Sequence, residues 1–391
     1  MARTLPPWLE VISIVRSLLV IMDPGRDQDD EDTLVALNRF VRMGLMDVLG
    51  VVANLAPSNN RARLARGTLD QLGLPEIPVG IGTGCNQTDD DGLTYQWAVS
   101  YLASEDTVMD GKTLLRQTLE KAMPGQIVLV LLSGLTDAYE ILREEPALFA
   151  SRVRRVVFMG GVDAQGDSVK VGRDGRFRPD PTAQNVKFDG NAASYLYKQL
   201  QLMGIPMTVL TRHAAGAAKV PRAIYDEMAD TGHPVGVRLR DAQKLAIEHL
   251  WKRSCLPPGD PLREVHKHPD RCDKAWFCKV FLGGNGADRG TDDSIWDLVQ
   301  TFMLYDPMTL FAAVPSLREY FFEPEVVEVS DADGKPVEHL FMVDPLQLPV
   351  VIFHDPVQFV VPALNYVMGH IVGDTNFVGF HDMYRIKKAK R

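Results

Sequence analysis

The chain has 391 residues, 46% hydrophobic and 24% charged, with a formal net charge of −9. This composition predicts an ordinary globular protein with a large core, and its acidic balance argues against a nucleic-acid backbone as the main partner. No apolar run reaches the ~18 residues that cross a bilayer. Four cysteines lack both zinc spacing and disulfide density, and Glu10 and Arg16 break up the apolar N-terminal stretch. A cytoplasmic, reducing setting away from membranes is therefore expected.

In chain order, the first signal is Leu18-Leu19-Val20-Ile21-Met22, an apolar run that stops at Asp23. A Pro24-Gly25 turn follows, then Asp27, Asp29 and Asp30, then Leu34, Leu37 and Val41 at helical spacing. The pattern predicts a buried strand, an acidic loop and a helix. Met46 to Val52 reads as a second strand ending near Asn54, and Asn59 to Leu74 as a helix. Further strands are expected over Ile77–Ile81, Ile127–Leu132, Val153–Met159 and Met207–Leu210, with a helix opening at Thr136. Such alternation predicts an α/β fold with an open, mostly parallel, Rossmann-like sheet flanked by helices.

The stretch 255–290 is rich in Pro, Gly, His and Asp and shows no clear period. Long irregular segments of this kind are often lids or binding loops. Phe321 to Val361 reads as more strands, with turns at Ala332-Asp333-Gly334 and around Pro345. The basic run Lys387-Lys388-Ala389-Lys390-Arg391 reads as a solvated terminus. A single domain over 1–391 is expected, its core at about 16–330 with extensions at both ends.

Four carboxylates crowded at the carboxyl end of a strand repel one another unless a cation neutralises them. Ligand sites of open α/β sheets lie at that end, and an all-oxygen donor set suits Ca²⁺ or Mg²⁺ rather than zinc. The plainer alternative is an acidic helix N-terminus favoured by the helix dipole. It accounts for Asp29 and Asp30 but not for Asp23, which directly follows five apolar residues.

The strand, Asp23-Pro24-Gly25 and Asp29-Asp30 resemble the N-terminal signature of the nucleoside hydrolases, with Ile21 where that family usually has its first Asp. The resemblance implies Ca²⁺, with Mg²⁺ the alternative, and Asp23 as both metal ligand and the base that activates water. It also implies Asp30 as a ligand and Asp29 on the ribose hydroxyls, with Asp27 a further acidic candidate. Four more stretches are similar to family motifs. Val51-Val52-Ala53-Asn54 implies a ribose contact at Asn54. Leu132-Ser133-Gly134-Leu135-Thr136-Asp137 implies a metal-ligating carbonyl at Thr136. Asn185 and Asp189 fall in register with a substrate-binding stretch, but Ala183 replaces its ribose-binding Glu. In Tyr305-Asp306-Pro307, Asp306 resembles the last metal ligand, and Tyr305 stands where the family has a His proton donor.

His213, a His within 266–268, and stacking by Trp251, Trp276 or Trp296 are alternative ways to activate the leaving base. A second His354-Asp355-Pro356 falls too late for the family's order. The implied activity is hydrolysis of ribonucleosides to base and ribose, in a homodimer or homotetramer. Two rivals remain at this point. A non-catalytic riboside-binding homologue would fit the changes at Ala183 and Tyr305. A haloacid-dehalogenase-like phosphatase would require Asp-X-Asp, whereas position 25 is Gly25.

Overall fold

The computed structural model describes residues 16–342 apart from 43, 86–93, 166–167, 217–218, 267, 316 and 319–321. The turn expected around Pro345, His354-Asp355-Pro356 and the basic run 387–391 lie outside the described residues. Nine strands form the main sheet: β1 (Arg16–Met22), β2 (Met46–Ala53), β3 (Val79–Ile81), β4 (Met109–Asp110), β5 (Ile127–Leu131), β6 (Val153–Gly160), β7 (Met207–Thr211), β8 (Glu325–Ser330) and β9 (Pro336–Met342). Their order across the sheet is β8-β9-β7-β6-β5-β1-β2-β3-β4. Every neighbouring pair is parallel except the β8–β9 hairpin.

The unbroken apolar run of β1 follows from its central place. Leu18, Val20 and Met22 enter one core cluster, while Leu19 and Ile21 enter the other on the opposite face. A strand buried on both faces has no polar side to alternate with. All five side chains are at most 2% exposed, and each contributes roughly 1.5–3 kcal/mol of burial. From β1 the chain runs outward through β2, β3 and β4, then returns to β5 on the other side of β1. The reversal makes a crevice at the carboxyl ends of β1 and β5, where ligands of open α/β sheets bind.

Helix α1 (Asp29–Arg42) buries Leu34, Val35, Leu37 and Phe40. Its Phe40 meets Phe311 of α2 (Tyr305–Ala313) edge to face at 5.1 Å. The two helices therefore pack together, with acidic residues in both first turns. Two of the acids on α1 turn inward. Glu31 pairs with Arg238 at 3.3 Å, and Asp32 accepts a 2.8 Å hydrogen bond from the Tyr225 hydroxyl.

The stretch 255–290 departs from its irregular reading. It contains helices Pro261–Val265 and Lys274–Phe281, capped by Asp260 and Asp273, whose carboxylates accept from Leu262 N and Trp276 N. Five and eight residues are too few to show a period, although Asp-Pro at 260–261 is a helix-start signal. The hairpin β8–β9 turns at Asp331–Gly334, with Gly334 at φ 81°. No helix among the described residues is long and apolar enough to cross a membrane.

His339 in β9 is fully buried. Its Nδ1 accepts the Met207 amide at 3.2 Å, and its ring meets Phe177 edge to face. Burial, with Arg155 and Arg176 nearby, pushes its pKa from 6.5 down to about 4. The unfolded chain therefore binds a proton in that window that the folded chain refuses, and stability falls as pH drops from about 6.5 towards 4. In urea unfolding, the stability advantage of wild type over His339→Asn should shrink by about 2 kcal/mol between pH 7 and 5. A constant advantage would contradict this.

Candidate active site

Asp23 follows the last residue of β1, where the hydrogen-bond ladder ends and the chain must turn. Gly25 makes the turn at φ 131°, and a Cβ there would come within 2.8 Å of the Trp97 ring. Arg61 donates to the carbonyls of Asp23 (2.6 Å) and Pro24 (3.0 Å) and lies over Trp97 at 5.7 Å. The Asp23 amide donates to Asp30 Oδ1 at 3.0 Å, closing the acidic loop on itself.

The closed loop faces a pocket of ≈ 590 Å³ lined by Asp23, Asp27, Asp29, Asp30 and Asp306, with Tyr305 beside them. Carboxylate oxygens of Asp27, Asp29 and Asp30 lie within 4.8 Å of one another. Burial first, and the neighbouring carboxylates second, hold Asp29, Asp30 and Asp306 well above the usual carboxylate range. Asp23 keeps some contact with solvent at the pocket floor. Its pKa is nonetheless pushed up to about 7 by burial, against the pull of the Arg61 charge and of the nearby Ser133 side chain. The negative charge is offset only in part by Arg61 and Arg26, and the donors are all hard oxygens. That set fits a divalent oxygen-binding cation.

Asn185 lines the pocket and joins two strand ends, donating from Nδ2 to the carbonyls of Leu132 (2.7 Å) and Met159 (2.9 Å). Thr136 lies outside the lining, with its hydroxyl on Asp189 at 3.0 Å. The residue of this strand end that borders the pocket is Leu132. Asn54 also lies outside the lining and is fully buried. Its Nδ2 donates to Gly134 O and Asp137, and its Oδ1 accepts from Ser133 at 2.5 Å. Asp137 in turn accepts from Thr83 N and Thr83 Oγ1. This buried network supports Asp23 from below through Ser133.

Tyr305 is half-buried, and burial together with Asp29 pushes its phenol up to about 12, so it keeps its proton at neutral pH. His213 is exposed, next to Arg212, and outside the lining. His266 and His268 do line the pocket, so the 255–290 stretch borders its mouth. Trp251 and Trp296 are core residues and Trp276 packs against the same core. The aromatic rings at the pocket are Phe188 and Tyr305, and an adjoining cleft of ≈ 220 Å³ adds Tyr225, Phe281 and Phe302. Ala183 borders the pocket without a carboxylate, and Asp180 faces Thr182 and Arg212 instead.

Sequence reasoning passed over Ser133, Asp137 and the pocket arginines Arg26, Arg212 and Arg253. Arg26 sits within the Asp-Pro-Gly-Arg-Asp run and was visible there as a cation among acids. Replacing Asn54 by Ala should take one of three donors from Asp137 and the acceptor from Ser133 and lower unfolding stability by roughly 2–4 kcal/mol. Urea unfolding measures it, and a loss under about 1 kcal/mol would show the network to be dispensable.

Comparison with known proteins extends this geometry. The model of the family described as inosine-uridine preferring nucleoside hydrolase matches residues 19–336. Comparison with the curated proteins gives no match. Among solved structures, the type III effector protein XopQ, complexed with adenosine diphosphate ribose, is 28% identical with a TM-score of 0.74, over 94% of this chain and 100% of that one. Another effector protein is 27% identical with a TM-score of 0.72, over 92% of this chain and 97% of its own. A purine-preferring ribonucleoside hydrolase from Gardnerella vaginalis, 14% identical with a TM-score of 0.54 over 91% and 99%, shares the fold. The family match runs from β1 into the last hairpin and takes in every carboxylate of the pocket. By that match the chain belongs to the inosine-uridine preferring nucleoside hydrolase family.

Proposed function

We propose that this pocket hydrolyses the N-glycosidic bond of ribonucleosides in a Ca²⁺-dependent reaction. The observation that carries the proposal is five carboxylates gathered on one pocket at the sheet's switch point. In this reading Asp23, Asp30 and Asp306 hold the cation together with a backbone carbonyl. The family resemblance points to Thr136 for that carbonyl; the residue of this strand end that lines the pocket is Leu132, whose carbonyl accepts from Asn185. Bound there, Ca²⁺ would lower the pKa of a water and orient it.

The chain's own groups do the rest. Asp23 accepts the proton of the attacking water, a role worth 10²–10⁴-fold for a positioned base. Its perturbed pKa and burial are typical of such a group. Asp29, and Asn185 through the Oδ1 that its two carbonyl contacts leave over, take the sugar hydroxyls and hold the anomeric carbon in line. Asn54 acts through Ser133, keeping Asp23 in place. Tyr305 holds its phenolic proton and lines the pocket with the carboxylates, so it can serve as the acid for the departing base. The oxocarbenium character of the sugar is stabilised by the surrounding carboxylates.

A second reading is a riboside binder without turnover. The Ala183 position favours it, because the pocket lacks a carboxylate there. The similarity to XopQ, seen with adenosine diphosphate ribose, also favours it. Ribose release from purine and pyrimidine ribonucleosides decides between the two. With Ca²⁺ present, at least one nucleoside should be cleaved, and Asp23→Asn should lower kcat by at least 100-fold, the lower bound for a lost general base. Chelation should abolish turnover and lower Tm, with the loss reversed by added Ca²⁺. Binding without release from any nucleoside would establish the second reading.

A further inference from the structure

The outer half of the pocket has a chemistry that a nucleoside does not use. Lys187, closing the short helix Gln184–Lys187, and Arg271, just after the His268 stretch, both line the mouth and are both exposed. They come from segments more than eighty positions apart, yet both bear on the Cys272 thiol, opposing the rise caused by its burial. Two exposed cations from distant parts of the chain therefore line one pocket. Deeper in, Arg26, Arg212 and Arg253 also face the pocket.

Lys187 and Arg271 are not among the charges that act most strongly on the floor. The charges acting most strongly on Asp29, Asp30 and Asp306 are the other carboxylates, and the arginines acting on Asp23 are Arg61 and Arg26. The pocket is divided, with acid at the strand ends and base at the mouth. A neutral nucleoside gives the acidic half a sugar diol and offers Lys187 and Arg271, on the pocket's lining, no charge to meet.

We propose that the pocket takes a phosphorylated riboside, its sugar on the acidic floor and its phosphate or pyrophosphate ester between Lys187 and Arg271. This rests on the riboside reading above and names the substrate class for the same pocket. Arginine and lysine are the usual partners of phosphate oxygens, the first through its planar fork and the second as a point charge. An ester held by exposed cations at a rim is screened by salt, so its advantage should depend on ionic strength.

The test uses the full chain at fixed free Ca²⁺, with adenosine, AMP and ADP compared by calorimetry and every sample checked for base release. AMP or ADP should bind at least tenfold tighter than adenosine at low salt, and the advantage should shrink as salt rises. The Lys187→Ala/Arg271→Ala double variant should reduce the ratio of ADP to adenosine affinity at least tenfold, and Lys187→Glu should reduce it further. Circular dichroism confirms that each variant is folded. Adenosine binding with no gain from phosphate would overturn the phosphate inference and leave the riboside reading standing. A phosphate gain that survives the double variant would also overturn it. If none of the three ligands binds, the riboside reading itself fails.

Discussion

Everything about this pocket follows from the repulsion among carboxylates that the fold forces together. Asp23 cannot leave the end of β1, because the strand is central and buried on both faces. Asp29 and Asp30 cannot leave the first turn of α1, whose apolar face is locked against the core. Asp306 arrives on a helix that packs against α1. The packing energy of a large core is thus spent on an arrangement that electrostatics alone would disperse. Protons or a cation must supply the missing positive charge, and the raised carboxyl pKa values register that demand.

The supporting parts make sense against this strain. Arg61 fixes the turn by hydrogen bonds to two carbonyls rather than to the carboxylates, so it shapes the loop while its charge offsets only part of the rise at Asp23. Helix dipoles at the N-termini of α1 and of the helix opening at Tyr305 favour negative charge. Asn185 pins the ends of β5 and β6, holding the pocket wall at the register that the sheet dictates. The hydrogen-bonded group formed by Asn54, Ser133 and Asp137 gives Asp23 a polar bed inside the protein, where an unsatisfied partner would cost more than at the surface.

Much of the fold was legible because its strands are short, apolar and separated by turn residues. The core run Leu18–Met22 and the strand at Ile127 could hardly be anything else. The acidic cluster was legible too, since an Asp directly after a buried strand has no structural excuse. What stayed hidden was direction. Asn54, Thr136 and Asn185 have the same chemistry in a sequence whether they face a ligand or the backbone of a neighbouring strand. The structure turns Asn54 wholly inward and Asn185 towards two carbonyls. The short helices of 255–290 were hidden by their length, and the cationic rim by distance, because Lys187 and Arg271 come to line one pocket only after folding.

The acidic run at the start of α1 is, in three dimensions, two different things side by side. Asp29 and Asp30 look into the pocket, whereas Glu31 and Asp32 look into the core, one against Arg238 and the other against Tyr225. Four consecutive acids thus divide between two selective pressures within a single helical turn. Natural or laboratory variants there would sort by phenotype rather than by position. Changes at Glu31 or Asp32 would deplete the amount of folded protein in the cell, while changes at Asp29 or Asp30 would leave abundance intact and silence the pocket. A scan that scored only activity would read the whole stretch as catalytic, and one that scored only abundance would miss half of it.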